Sequence, residues 1–87
     1  MNEISYLRCL RDDQVMVTVE GIEIPCLVES WNPSSGDPTR SDSRYMVRSL
    51  VTRTDPPSIE KGQLLLGVLR KDMRLTQPVL PGFLERA

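Results

Sequence analysis

Eighty-seven residues allow one domain and leave little chain for a second core. The absence of histidine excludes Ser-His-Asp and Cys-His nucleophile systems and the HExxH zinc site, and two cysteines are too few for a disulfide-stapled scaffold or a four-ligand zinc site. The net charge of −1 hides a division, because residues 1–37 sum to −5 (two basic, seven acidic) and residues 38–87 to +4 (nine basic, five acidic).

The opening residues, Met1 to Tyr6, contain neither a cationic n-region nor an apolar h-region, and the longest apolar stretch, Leu64 to Leu69, is far short of a membrane span. A soluble protein made in a reducing cytosol is expected, with Cys9 and Cys26 reduced, and with no metal, cofactor or membrane contact. From Ile4 to Arg11 two periodicities compete: Ile4, Leu7 and Leu10 form a helical stripe, whereas Ser5, Leu7 and Cys9 fit a strand. A short helix or turn with Asn2 as its cap is favoured, followed by a turn at Asp12-Asp13.

Val15, Val17 and Val19 alternate with Met16 and Thr18, and after Glu20-Gly21 the alternation resumes at Ile22, Ile24, Cys26 and Val28. This pattern predicts a β-hairpin in which Val19 faces Ile22, Val17 faces Ile24 and Val15 faces Cys26. Glutamate tolerates positive φ poorly, so a bulged or longer loop is an alternative to a two-residue turn. Pro25 has no amide proton, which predicts an edge strand or a bulge at that point. Cys26 reads as a small core residue, and Trp31 as either a core anchor at the hairpin end or an interface residue.

Residues 32–44 contain no apolar side chain other than proline and are rich in Asn, Ser, Gly, Asp and Pro, which predicts a long exposed loop. It is either a binding element or a disordered strip, ordered only in an assembly, since its side chains bury too little apolar area to offset their entropy. Tyr45 to Thr52 reads as a strand, Thr54 to Ser58 as a proline turn, and Glu60 to Gln63 as the lead into a strand over Leu64 to Leu69. Lys71-Asp72 reverses the chain into a short strand from Met73 to Gln77, and Pro78 to Ala87 forms an extended tail bearing Val79, Leu80, Phe83 and Leu84. The expected fold is one mostly β domain over 1–87, a small barrel or sandwich of about five antiparallel strands with a long polar loop and an extended C-terminal tail.

Catalysis finds little support. Asp12-Asp13, Asp37 and Asp42 sit in turns, where aspartates cap backbone amides, and Ser34-Ser35-Gly36-Asp37 lacks the GxxxxGK[ST] phosphate cradle. Lys61 lies beside Glu60 and Gly62 in an expected turn, where a lysine is solvated. An OB-like single-stranded nucleic-acid groove would use Arg40, Arg44, Arg48 and Arg53, but Trp31 and Tyr45 are its main stacking platforms.

The hairpin ending in Gly-Ile-Glu-Ile-Pro-Cys-Leu-Val-Glu, the long polar loop, Asp-Pro-Pro, Glu-Lys-Gly-Gln-Leu-Leu-Leu and the closing Met-Arg-Leu-Thr-Gln-Pro together resemble small head-tail joining proteins of long-tailed bacteriophages. The Lys61-Gly62-Gln63 turn and the strand after it match best; the glycine-rich ending of that group is missing. The resemblance implies a non-enzymatic connector in the virion, made in the host cytoplasm. It would form a homo-oligomeric ring between portal or adaptor and tail proteins, and help close a channel in which DNA is met without sequence specificity. A small protein-binding module, such as an inhibitor of a host protein, is the alternative. In the ring reading, Arg40, Arg44 and Arg48 of one subunit meet the acidic N-terminal part of the next, while Val79, Leu80, Phe83 and Leu84 cover a neighbour.

Overall fold

In the computed structural model, which describes residues 5–76, the valine alternation becomes strand β1 (Gln14–Val19) and the run after it becomes β2 (Ile22–Trp31). Their antiparallel register sets Val19 against Ile22, Val17 against Ile24 and Val15 against Cys26, as the alternation predicts. Glu20 and Gly21 have φ of 51° and 81°, the pair of positive values that a two-residue type I′ turn requires. The alternative of a bulged or longer loop is therefore not needed. Glycine carries the larger excursion, and the strand twist on either side holds the glutamate.

Three further strands follow: β3 (Arg44–Ser49), β4 (Leu64–Leu69) and β5 (Met73–Leu75). They complete one antiparallel sheet in the order β4-β3-β2-β1-β5, with a single 3-10 turn at Arg70–Asp72 joining β4 to β5. The mostly β, five-stranded expectation holds, but the sheet is not closed into a barrel. Two bulges bend it at one level. Glu29 is the extra residue of β2, and Leu66-Gly67 stand together opposite Met46 of β3. Gly67 has φ of 66°, and a Cβ there would meet nothing within 4 Å, so the glycine is required by conformation and not by space.

The concave side carries the core of Val15, Val17, Ile24, Cys26, Val28, Tyr45 and Val47, sealed by Cys9, Ile59 and Met73. Both thiols are free and buried, and burial raises their pKa, that of Cys26 to about 11. Relative to the ordinary value of 9.0, the native Cys26 then holds about a hundredfold less thiolate at neutral pH. Titration with a chromogenic disulfide should find two reactive thiols in the denatured chain prepared without reductant, and slower reaction of both in the native one. Fewer than two thiols after denaturation, or equal rates in both states, would contradict this placement.

Several expectations need correction. Residues 5–10 contain no helix: their backbone is tied outward, Tyr6 N–H to Thr39 O (2.8 Å) and Cys9 N–H to Tyr45 Oη (3.3 Å), and Leu7 and Leu10 are exposed. Asn2 lies outside the described residues. The turn that follows is formed, with Asp13 N–H bonded to Leu10 O and Asp12 at φ 71°. Pro25 is neither on an edge strand nor at a bulge. It sits in central β2, one residue beyond the last β2-β3 pair, Cys26 with Ser49; its carbonyl accepts the Leu50 amide at 2.9 Å, and its missing donor lies on that same side, past the end of β3. Strand β5 ends at Leu75, and Gln77 and the tail from Pro78 lie outside the described residues.

The loop is also more ordered than its composition predicts. Asn32 caps a 3-10 turn over Pro33–Ser35, Asp37 accepts both the amide and hydroxyl of Thr39, and the hydroxyl of fully buried Ser43 donates to Asp37 O. Tyr45 Oη donates to Pro38 O at 2.7 Å, while Arg70 and Lys71 amides bond Ser43 O and Ser41 O. Hydrogen bonds within a single chain replace the apolar burial the loop lacks. Its last residue, Arg44, belongs to β3.

Candidate functional site

Strand β4 reads Leu-Leu-Leu-Gly-Val-Leu, a composition suited to a strand buried on both faces. In the fold it is an edge strand, with Leu66 74% and Leu64 41% exposed, and with neither charge nor proline along its length. Natural sheets protect such edges with lysines, prolines or a covering element, because open amides and carbonyls beside apolar side chains recruit another chain. Among the described residues the protective device on β4 is the bulge at Leu66-Gly67; neither lysine nor proline stands on the strand.

The edge borders a depression. Strand β5 pairs with β1 only from Val15 to Val17, and beyond that point β1 meets the 3-10 turn Arg70–Asp72 and no paired strand among the described residues. Between them and β4 lies an open groove of about 440 Å³, walled by Val17, Val19, Leu64, Leu66 and Val68 with Asp72 at one end. A second cavity of about 350 Å³ shares Leu66 and Gly67 with the first and is lined by Trp31, Pro33 and Tyr45. Trp31 is half-buried against the core, with the Arg8 guanidinium 5.3 Å from its ring centroid, and its Nε1 is buried without a hydrogen-bond partner. The tryptophan therefore serves the core and borders the surface at once.

The candidate cations are dispersed. Arg44 and Arg48 share the outer face of β3, flanking Met46, while Arg40 lies in the loop with Nε 3.4 Å from Asp42. Arg48 is engaged within the chain: its Nε donates to Glu29 at 2.7 Å and its Nη1 to Gly62 O. Arg74 makes a second such pair with Glu23 at 2.8 Å. The arginine hydrogen bond holds each of these two carboxyls below the usual range. Acidic first part and basic second part thus neutralise each other inside one molecule at both positions. Arg40 and Arg44 are the exposed members of the three, and Arg48 is half-buried. Val79, Leu80, Phe83 and Leu84 lie outside the described residues.

The polar groupings considered for chemistry are occupied structurally. Asp13 accepts the Leu10 amide, and the hydroxyl and amide of Thr39 lower the pKa of Asp37. Among the described residues no cluster of His, Cys, Asp and Glu is arranged to hold a metal ion, and no helix is long and apolar enough to cross a membrane. Sequence reasoning overlooked two features. The edge position of β4 has a signal in its uninterrupted apolar run, but the same run fits a buried strand. Arg70, 4% exposed and stacked 5.0 Å from the Tyr6 ring centroid, has no local signal. The chain matches no protein-family model, no curated protein and no solved structure.

Proposed function

We propose that this chain is a non-enzymatic assembly subunit, and that its role is that of a connector at the head-tail junction of a long-tailed bacteriophage, built as a ring between portal complex and tail. The observation that carries the reading is the exposed apolar edge of β4 beside its groove, bulged at Leu66-Gly67 but without charge or proline: an edge of this kind is a liability for a solitary protein and an asset for one that is always covered. The residue pattern from the hairpin to Met73-Arg74-Leu75 supports the phage setting. The small size points the same way, since about 60 to 65% surface burial leaves a lone chain marginal and gives association a stabilising role.

The charge division contributes less to association than its sums imply, because Glu23 and Glu29 are matched within the chain. Apolar contact is the main source of affinity, so self-association should persist when salt is raised. Sedimentation velocity from dilute to concentrated full-length chain tests this. A discrete, salt-tolerant oligomer is expected. A monomer at every concentration would favour the small binding module instead, and an oligomer that dissolves in salt would return the weight to Arg44 and its charge.

A further inference from the structure

Resting on the assembly reading, we propose that the β4 groove of each subunit is the receptor for the C-terminal segment of a second copy, with Val79, Leu80, Phe83 and Leu84 inserted against Leu64, Leu66 and Val19. The groove and the segment match in chemistry. Pro78 to Leu84 contains seven residues and no charge, and the side chains lining the groove are apolar apart from Asp72 and Thr18, with strand backbone exposed between them. A volume of about 440 Å³ suits several side chains of this size.

The path of the chain favours a neighbour over the chain's own groove. Strand β5 runs antiparallel to β1 from Val17 towards Val15, and the Thr76 amide bonds Gln14 O, so the described chain ends beside the start of β1. The groove lies at the other end, at Val17 to Val19, roughly 17 Å away at the usual strand rise. To enter its own groove the segment would have to reverse and run back beside β5. Pro78 and Pro81 oppose that course: three apart, they face opposite edges of a strand, so one of them removes a ladder bond whichever edge is used. Eight residues from 77 to 84 span up to about 26 to 29 Å when extended, enough to cross to an adjacent subunit. Departure at one end and reception at the other make a heterologous contact, which repeats around an axis.

Two substitutions in the full-length chain separate the halves of the junction. Leu66→Glu disables the groove and leaves the segment; Phe83→Asp disables the segment and leaves the groove. Leu66 is 74% exposed and Phe83 follows the last strand, so each variant should keep the fold and unfold at the midpoint the wild type shows when diluted to its monomer. Each alone should lose the oligomer, with association weakened by more than about tenfold, since a central buried apolar anchor is worth at least that factor. Mixed in equal amounts, they should form a 1:1 heterodimer and stop there, because one functional segment meets one functional groove and no further junction exists. Loss of assembly in Leu66→Glu alone would show that β4 takes another partner, such as a second β4. Loss in both variants without a heterodimer on mixing would show that the segment occupies its own groove or a different site. Retention in both would also overturn the proposal while leaving an oligomeric wild type, and with it the assembly reading, in place. A monomeric wild type would remove both.

Discussion

Replacing Arg70 with alanine should cost about 3–5 kcal/mol, the largest effect expected of any single side chain in this fold. The guanidinium is nearly sealed from water and binds two carbonyls, Leu7 O through Nε at 2.9 Å and Met73 O through Nη1 at 2.7 Å. Hydrogen bonds from a charged donor contribute roughly 1.5–3 kcal/mol each, and alanine leaves both acceptors without the donor that replaced water. The ring of Tyr6 loses its cation as well. A chain of this length has an expected total stability of only roughly 4–13 kcal/mol, so the variant should be marginal in dilute buffer. Arg70→Met, which refills the volume but not the donors, should recover part of the loss. Urea unfolding provides the measurement, and a midpoint for Arg70→Ala equal to that of the wild type would show that the buried cation is dispensable.

Tyr45→Phe should cost about 2–4 kcal/mol through the loss of one oxygen atom. That hydroxyl accepts the Cys9 amide and donates to Pro38 O, so it joins the N-terminal segment to the loop at the centre of the molecule. Phenylalanine preserves the packing of a ring that is 1% exposed, which isolates the polar contribution. Amide exchange across Thr39 to Ser43 should accelerate in the variant, and unchanged protection there would contradict the role given to the hydroxyl. The pH dependence has a definite sign. Desolvation raises the pKa of Tyr45, Cys9 and Cys26 in the folded state, so the unfolded chain releases these protons first. Stability from these groups is complete below their ordinary values of 9.0 and 10.0 and falls as pH rises through them towards the folded values. Tyr45→Phe should shallow the upper part of that alkaline loss.

The hairpin is readable residue by residue because two local signals agree: strict alternation specifies the face, and a two-residue spacer specifies the register. Pro25 is misread for a physical reason. A missing donor shows that no ladder bond is made there, but whether the strand is an edge or its neighbour has ended depends on the length of β3. The 4–11 segment fails similarly, since a stripe of Ile4, Leu7 and Leu10 carries less weight than hydrogen bonds to Thr39 and Tyr45, which are distant in sequence. Leu64 to Leu69 is recognisable as a strand, whereas its exposure is a property of sheet order alone. Charge counting treats every arginine as surface, which hides Arg70 in the interior and overstates Arg48 as a docking cation.

In the proposed assembly the β4 edge is a covered surface. Electron cryomicroscopy of the native assembly, at a resolution that separates strands, tests it most directly. The expected image is a closed ring in which Leu64 and Leu66 lie at every subunit boundary, covered by chain from the neighbouring copy. A ring joined through other surfaces, with β4 and its groove facing solvent in each subunit, would contradict it.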